Sequence, residues 1–168
     1  LPVLGSSMTP LLRTGDQVAL EHSGEDPAVG DVVVFWTPGG IVVHRVVAST
    51  TYDGMPHLVT KGDALCTCDP PITTAQVLGR VGTIYSGERR LSLLAPQARR
   101  WGARIAHYSY AQAYLWSWLQ QKNRCVAGIH SGMLLRLVRR TCRIVLVLPI
   151  RLMVHLWLAY PDRLRNEE

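Results

Sequence analysis

Residues 31–36 read DVVVFW, one aspartate followed by five apolar residues. They are followed by the turn residues Thr37-Pro38-Gly39-Gly40 and then by a second apolar run at residues 41–48. Branched and aromatic side chains in short runs favour β-strands, and proline with glycine between two such runs favours a tight turn. We therefore predict that the two runs pair as an antiparallel hairpin.

Three further short strands are predicted around this hairpin, at residues 17–21, 57–61 and 78–85. No helical pattern separates them, which indicates an antiparallel β fold. After Pro96 the apolar spacing becomes helical, over residues 97–122 and again over residues 131–160. The predicted class is α+β: a mainly antiparallel β domain at residues 1–96, followed by a helical, basic extension at residues 97–168.

Charge divides the chain at the same place. Residues 1–96 hold six Lys or Arg and nine Asp or Glu, whereas residues 97–168 hold twelve and three. The net charge of +6 therefore combines a front of −3 with a back of +9. A basic half predicts contact with a negative surface such as lipid headgroups or nucleic acid. No nucleic-acid-binding motif accompanies these arginines, so we expect no nucleic-acid partner.

The second helical segment, residues 131–160, is the candidate membrane contact. Residues 144–160 are long enough to cross a bilayer, but a central arginine costs about 2.5–3.5 kcal/mol there. The basic residues of the segment share one helix face: Arg136, Arg140, Arg143, Arg151 and His155. Such a stripe favours an amphipathic helix in the membrane interface over a spanning helix. Packing against the β domain or against another protein fits the same periodicity.

A serine motif precedes the strands: Gly5-Ser6-Ser7-Met8-Thr9-Pro10. Alone it is typical of a surface turn. Four more blocks follow in order, namely Gly30-Asp31, His44-Arg45, Lys61-Gly62-Asp63 with Asp69, and Gly79-Arg80. The order and spacing of these blocks over residues 4–87 resemble the type I signal peptidases and the wider group of serine peptidases related to them.

This resemblance implies a Ser7 nucleophile and a His44 general base. Bacterial-type signal peptidases have lysine at the base position, whereas the archaeal and endoplasmic-reticulum type has histidine, so the chain resembles the histidine branch. Histidine can accept a proton without the burial that a lysine needs. The implied function is a serine endopeptidase that removes signal or leader peptides from precursor polypeptides after small residues. The substrate would dock as an added strand beside the site.

A base of this kind needs an acid that fixes its tautomer. By resemblance Asp69 is that acid, because it follows the Lys-Gly-Asp block where the histidine branch carries its aspartate. Asp63 is the alternative, and its other role by resemblance is to hold the loop through hydrogen bonds. Sequence spacing favours Asp69 but does not establish which carboxylate reaches His44. Lys61 is expected to anchor the same loop.

The oxyanion hole departs from the pattern of the family. Relatives commonly read Ser-Gly-Ser-Met, and in some the earlier serine hydroxyl helps to bind the oxyanion. Gly5 stands at that position here, so the candidate donors are the Ser7 backbone N–H and Ser6. Losing one donor costs about 10²–10³ in rate, which predicts slower turnover unless another group replaces it.

No metal or organic cofactor is implied by the sequence. The four cysteines lack the spacing of a zinc site, and a bridge between Cys66 and Cys68 would close a strained loop. We expect structural or free thiols at these positions, listed in order as Cys66, Cys68, Cys125 and Cys142.

Two other functions stay open: a dedicated maturation protease for a modified peptide, and a non-catalytic relative that binds peptides, which is consistent with the Gly5 departure. Members of the resembled family usually carry a transmembrane helix before the serine motif, and residues 1–6 do not supply one. We expect a membrane-associated protein with an extracytoplasmic site, held through residues 131–160. A soluble cytoplasmic form is the alternative.

Overall fold

The structure is a computed structural model that describes residues 1–22, 25–126 and 132–159, without the side chains of residues 122–126, 132–140, 142 and 143. Over these residues, seven strands precede two α-helices, and a short 3-10 helix (Thr74–Gln76) lies between the fifth and sixth strands. The strands are β1 (Gln17–Glu21), β2 (Val32–Thr37), β3 (Gly40–Tyr52), β4 (Met55–Lys61), β5 (Ile72–Thr73), β6 (Val77–Ser86) and β7 (Arg89–Ser92). The helices are α1 (Pro96–Val126) and α2 (Gly132–Ala159).

The strands form one antiparallel sheet in the order β1-β6-β2-β3-β4-β5, and β7 pairs with the second half of β6. The predicted hairpin is confirmed as β2 and β3, with Val32 opposite Arg45 and Thr37 opposite Gly40. The α+β class with a mainly antiparallel sheet and C-terminal helices is likewise confirmed.

Two strands and one extension were not predicted. Strand β7 is mainly polar and mainly exposed, and it pairs with β6 because a tight turn at Gly87 returns the chain. Strand β5 has only two residues. Strand β3 runs to Tyr52 before it turns at Asp53 and Gly54, whose φ angles of 50° and 75° suit a two-residue hairpin turn.

Strand β2 is buried on both faces, which explains its unbroken apolar run. Val32 and Val34 belong to a larger apolar cluster that includes residues of both helices. Val33 and Phe35 belong to a smaller cluster on the opposite face, together with Val46, Leu58 and Ile72. Successive strand side chains point to opposite faces, so a doubly buried strand needs apolar residues at every position.

Both helices pack into the larger cluster. Ile105 of α1 and Ile150 and Val154 of α2 are fully buried there beside strand residues. Burying a side chain of this size is worth roughly 1.5–3 kcal/mol, so the helices contribute to the core of the sheet. Residue 96 separates strands from helices, and the division into two domains there stays a prediction.

A close approach of backbones fixes α1 on the sheet. A Cβ atom on Gly102 would lie 2.8 Å from the Gly30 carbonyl oxygen, and one on Gly30 would lie 2.5 Å from the Ala103 nitrogen. Gly30 also has a φ angle of +104°, which other residues rarely adopt. The glycine of the Gly30-Asp31 block is therefore needed where helix meets sheet.

Helix α2 confirms packing on the β sheet as one role of the second helical segment. Arg151 and His155 are exposed, whereas the predicted stripe residues Arg136, Arg140 and Arg143 have side chains outside the described set. Cys125, Cys142 and the end of the segment after residue 159 also fall outside it. Over the described ranges, neither helix is long and apolar enough to cross a lipid bilayer.

Candidate active site

Ser7 lies on a turn that the core holds in place. The next residue, Met8, is buried, as are Leu11 and Leu12, and the Leu12 N–H donates to the Met8 carbonyl at 3.1 Å. On its other side the Ser7 carbonyl accepts the Ala64 N–H at 2.8 Å. The serine is thus tied both to the core and to the loop after β4, while its own side chain stays partly accessible.

His44 lies near the middle of β3, opposite Val33 of β2. Directly paired residues share a face, so His44 points to the side of the smaller cluster, and the Phe35 ring lies 6.3 Å from the imidazole. Only 7% of its side chain is exposed. The next residue, Arg45, points to the opposite face, toward α1.

Three predicted residues meet in one hydrogen-bonded row. Ser7 Oγ lies 3.0 Å from His44 Nε2, and His44 Nδ1 lies 2.6 Å from Asp69 Oδ2. A carboxylate oxygen only accepts, so Nδ1 carries the proton and donates it to Asp69. Nε2 is then left as the acceptor for the Ser7 hydroxyl. This is the arrangement that activates a serine nucleophile.

No family model, curated protein or solved structure matches the chain. The resemblance to type I signal peptidases therefore stays a prediction from motifs.

Asp69 is held by Thr60, a residue that was not predicted. The Thr60 hydroxyl donates to Asp69 Oδ2 at 2.7 Å, and the Asp69 N–H donates to the Thr60 carbonyl at 2.8 Å. Two contacts from the end of β4 therefore fix both the backbone and the side chain of the acid. Thr60 is fully buried and immediately precedes the Lys61-Gly62-Asp63 block, which was the only sequence signal for it.

Asp63, the alternative acid, is engaged elsewhere. Arg45 Nε donates to its Oδ1 at 2.9 Å and the Arg45 terminal nitrogen to its Oδ2 at 2.7 Å, with both side chains almost fully buried. Arg45 also donates to the Gly30 carbonyl at 2.9 Å. The structure thus brings Asp69 to His44, and it joins Asp63 to Arg45 of β3. A charged residue within the apolar strand β3 signalled a buried partner.

Lys61 is fully buried and donates to the Gly62 carbonyl at 3.3 Å. Burial lowers the pKa of its ammonium group, and the nearby Asp63 carboxylate partly opposes that shift. This placement agrees with a loop-anchoring lysine.

Burial also raises the pKa of the Cys68 thiol. No group of three or more His, Cys, Asp or Glu among the described residues could hold a metal ion.

Gly62 leaves no room for a side chain beside the serine and histidine. A Cβ atom there would lie 2.7 Å from the Ser7 carbonyl oxygen and 3.0 Å from both His44 Nε2 and Ser7 Cβ. A methyl group would therefore press on the atoms that form the Ser7–His44 hydrogen bond.

We predict that Gly62→Ala lowers kcat/KM by about 100-fold, because a displacement of about 1 Å between reacting groups has an effect of that size. Gly39→Ala is the matched control, since a Cβ there meets only the Thr37 hydroxyl at 3.7 Å. Peptide-cleavage kinetics of both variants test the prediction. Full activity of Gly62→Ala would contradict the tight packing described.

An open pocket of about 560 Å³ adjoins Ser7. Its walls come from the serine turn, from the loop after β4 and from one residue of α2: Gly5, Ser6, Ser7, Thr9, Ala64, Leu65 and Arg151. The oxyanion candidates Ser6 and Ser7 therefore face the same space. Arg151 was predicted only as part of a basic helix stripe, and its place beside the serine was missed.

Proposed function

We propose that this chain is a serine endopeptidase of the signal-peptidase-like group, of the histidine branch. It cleaves signal or leader peptides from precursor polypeptides. The observation that carries the proposal is the hydrogen-bonded row of Ser7 Oγ, His44 Nε2 and Nδ1, and Asp69 Oδ2, at 3.0 and 2.6 Å. The preference for small residues before the cut comes from the resemblance to type I signal peptidases.

The row supports a two-step acyl transfer. Ser7 Oγ attacks the scissile carbonyl carbon while its proton passes to His44 Nε2. The imidazolium that forms is stabilised by Asp69, which the Thr60 hydroxyl holds in place. His44 then protonates the leaving amine, and an acyl ester remains on Ser7. A water molecule, deprotonated by His44, hydrolyses this ester and restores the free serine.

The negative oxygen of the tetrahedral intermediate needs donors that point at it. The Ser7 backbone N–H is the first donor in this proposal, and Ser6, which lines the same pocket, is the second candidate. Gly5 supplies no side-chain donor, although an ideal Cβ on Gly5 meets no atom within 4 Å. The position therefore has space for the serine that relatives commonly carry.

We predict that Gly5→Ser raises kcat by about tenfold to 100-fold, because one oxyanion donor is worth about 10²–10³ when its geometry is good. Gly5→Ala is the control, since it adds the Cβ without the hydroxyl. Single-turnover kinetics on one peptide substrate measure the effect. An equal change in both variants would show that the hydroxyl does not reach the oxyanion.

Cleavage of a secretory precursor with an Ala-x-Ala site tests the proposed function. The chain is assayed in detergent, and mass spectrometry of the products locates the cut. We expect one cut directly after the second alanine, with no cut by Ser7→Ala. A folded parent that leaves this precursor intact but cuts a modified peptide precursor would favour the maturation protease. Peptide binding without any cut would favour the non-catalytic relative.

We also propose that α2 holds the protein at a membrane surface. Five apolar side chains of α2 are each more than half exposed and follow one another at helical spacing: Ile144, Val145, Leu148, Leu152 and Leu156. The sequence after residue 96 has a net charge of +9, which complements anionic headgroups. An apolar face beside cationic residues is the pattern of an interfacial helix. Arg151 lies on this helix, so binding there would place the Ser7 pocket close to the lipid.

We predict that the double substitution Leu148→Glu with Leu152→Glu lowers partition into vesicles of phosphatidylcholine and phosphatidylglycerol by about 100-fold. Each leucine withdrawn from the acyl boundary forfeits on the order of 1.5 kcal/mol. Tyr52→Glu is the control, because Tyr52 is 67% exposed at the far end of β3. Co-sedimentation measures partition. Undiminished binding by the double variant would exclude this face as the contact.

A further inference from the structure

An arginine from the C-terminal helix reaches the pocket of the candidate nucleophile. Arg151 lines the same space as Ser6 and Ser7, although 144 positions separate Arg151 from Ser7 in the sequence. The residue before it, Ile150, is fully buried in the core, and Val154 one turn later is fully buried as well. The backbone that carries Arg151 is therefore fixed to the sheet, while its side chain is exposed at the pocket.

The charge of Arg151 has no counter-ion among the residues that the structure describes. The two aspartates of the loop after β4 are already engaged. Asp63 accepts two hydrogen bonds from Arg45, and Asp69 accepts from His44 and Thr60. By contrast, the buried Arg45 and Arg80 are both paired with carboxylates. The pocket thus presents an unneutralised guanidinium to whatever enters it.

We infer that Arg151 selects peptides that carry an acidic side chain close to the scissile bond. This inference rests on the proposed function and specifies its substrate class. A guanidinium offers two parallel N–H donors that match the two oxygens of a carboxylate. A polypeptide extended along the Ser7 turn brings such a carboxylate into the pocket, where the helix backbone that carries Arg151 is already fixed. An Asp or Glu near the cut therefore strengthens binding in the ground state and the transition state alike.

Two other roles for Arg151 make different predictions. If the guanidinium bound the oxyanion, its loss would slow every substrate equally. If it bound a lipid phosphate, its effect would need a membrane. Assays in lipid-free buffer with pairs of peptides that differ only by Glu against Gln separate both roles from carboxylate selection.

The test compares kcat/KM for such pairs, with the substitution moved through each position that flanks the cut. We expect the parent to prefer Glu at one position by about threefold to tenfold, as for a solvent-accessible charge pair, and the preference to shrink with added salt. Arg151→Gln should bring the ratio close to one, and Arg151→Glu should invert it. Arg100→Gln, which removes the same charge from an exposed site on α1, should keep the parental ratio.

Equal rates for the parent on all pairs would overturn the inference, as would a preference that survives in Arg151→Gln. An equal loss on Glu and Gln peptides would also overturn it, in favour of a role at the reacting carbonyl. If the parent cuts nothing, the proposed function fails and binding decides the inference separately. Fluorescence anisotropy then measures the affinity of the same peptides for Ser7→Ala and for Ser7→Ala with Arg151→Gln. A preference for Glu in Ser7→Ala that is lost in the double variant supports the inference. Equal affinities of Ser7→Ala for the Glu and Gln peptides overturn it.

Discussion

Replacing His44 with alanine is expected to lower kcat/KM by about 10⁴-fold or more, and Ser7→Ala by a similar factor. Without the imidazole, Ser7 Oγ loses the one hydrogen-bonded base that the described residues give it, and without the hydroxyl no acyl ester forms. His44 is nearly buried, so the folded state of His44→Ala is checked by the urea midpoint, and His44→Gln serves as a closer replacement.

His107→Ala is the matched control for this loss. His107 is exposed on α1, and its Nδ1 lies 2.7 Å from the Ala103 carbonyl oxygen of the same helix. We expect parental kinetics for this variant. A folded His44→Ala protein with near-parental activity would remove His44 from the mechanism.

Substitutions of the two aspartates in the Lys61–Asp69 loop are expected to differ in effect: one lowers activity, and the other lowers stability. Asp69→Asn should lower kcat by about 10⁴-fold, because an amide in place of the carboxylate no longer favours the Nδ1–H tautomer. Its loss of stability should be only about 1–2 kcal/mol, since one partly exposed hydrogen-bonding group is altered. Asp63→Asn should instead destabilise the fold by about 3–5 kcal/mol, because it leaves the buried Arg45 charge without its counter-ion.

The urea midpoint and the kinetics of the folded fraction separate these outcomes. Asp63→Asn should retain turnover where it remains folded. The assignment would be reversed by a stable, inactive Asp63→Asn together with an active Asp69→Asn. Thr60→Val offers an intermediate case, since it removes the hydroxyl bond to Asp69 while it keeps the shape of the side chain.

Local chemistry was enough to predict the centre of the sheet. In β2 and β3 the branched side chains, the turn residues and the apolar pattern all favour the same hairpin, and the observed register follows from the Thr37–Gly40 turn. Strand β7 was missed because its residues Arg89 and Arg90 carry no apolar pattern. Its pairing depends on the tight turn that follows β6 and on the exposed position of the strand.

The order of the sequence motifs predicted only part of the candidate site. The sequence indicated Ser7 and His44, and favoured Asp69, but it could not exclude Asp63. The choice depends on the loop folding back on itself, with Asp69 returning to Thr60 at the end of β4. It also depends on His44 and Arg45, which face opposite sides of the sheet. Each of the two side chains therefore pairs with the aspartate on its own side.

The position of Arg151 beside Ser7 could not be predicted from helical periodicity. A helical pattern identifies which residues share a face, but it does not identify what that face contacts. Ile150 and Val154 face the sheet, and Leu148 and Leu152 face outward. Arg151 lines a pocket together with the Ser7 turn and the loop after β4. Tertiary packing alone determines this last placement.

In the proposed mechanism Asp69 acts through His44, and one measurement tests this directly. The kcat/KM values of His44→Ala, Asp69→Asn and the double variant are compared on one chromogenic peptide. If the residues form one unit, Asp69→Asn adds nothing once His44 is gone, and the double variant matches His44→Ala. Losses that multiply in the double variant would contradict the hydrogen-bonded row as the catalytic machinery.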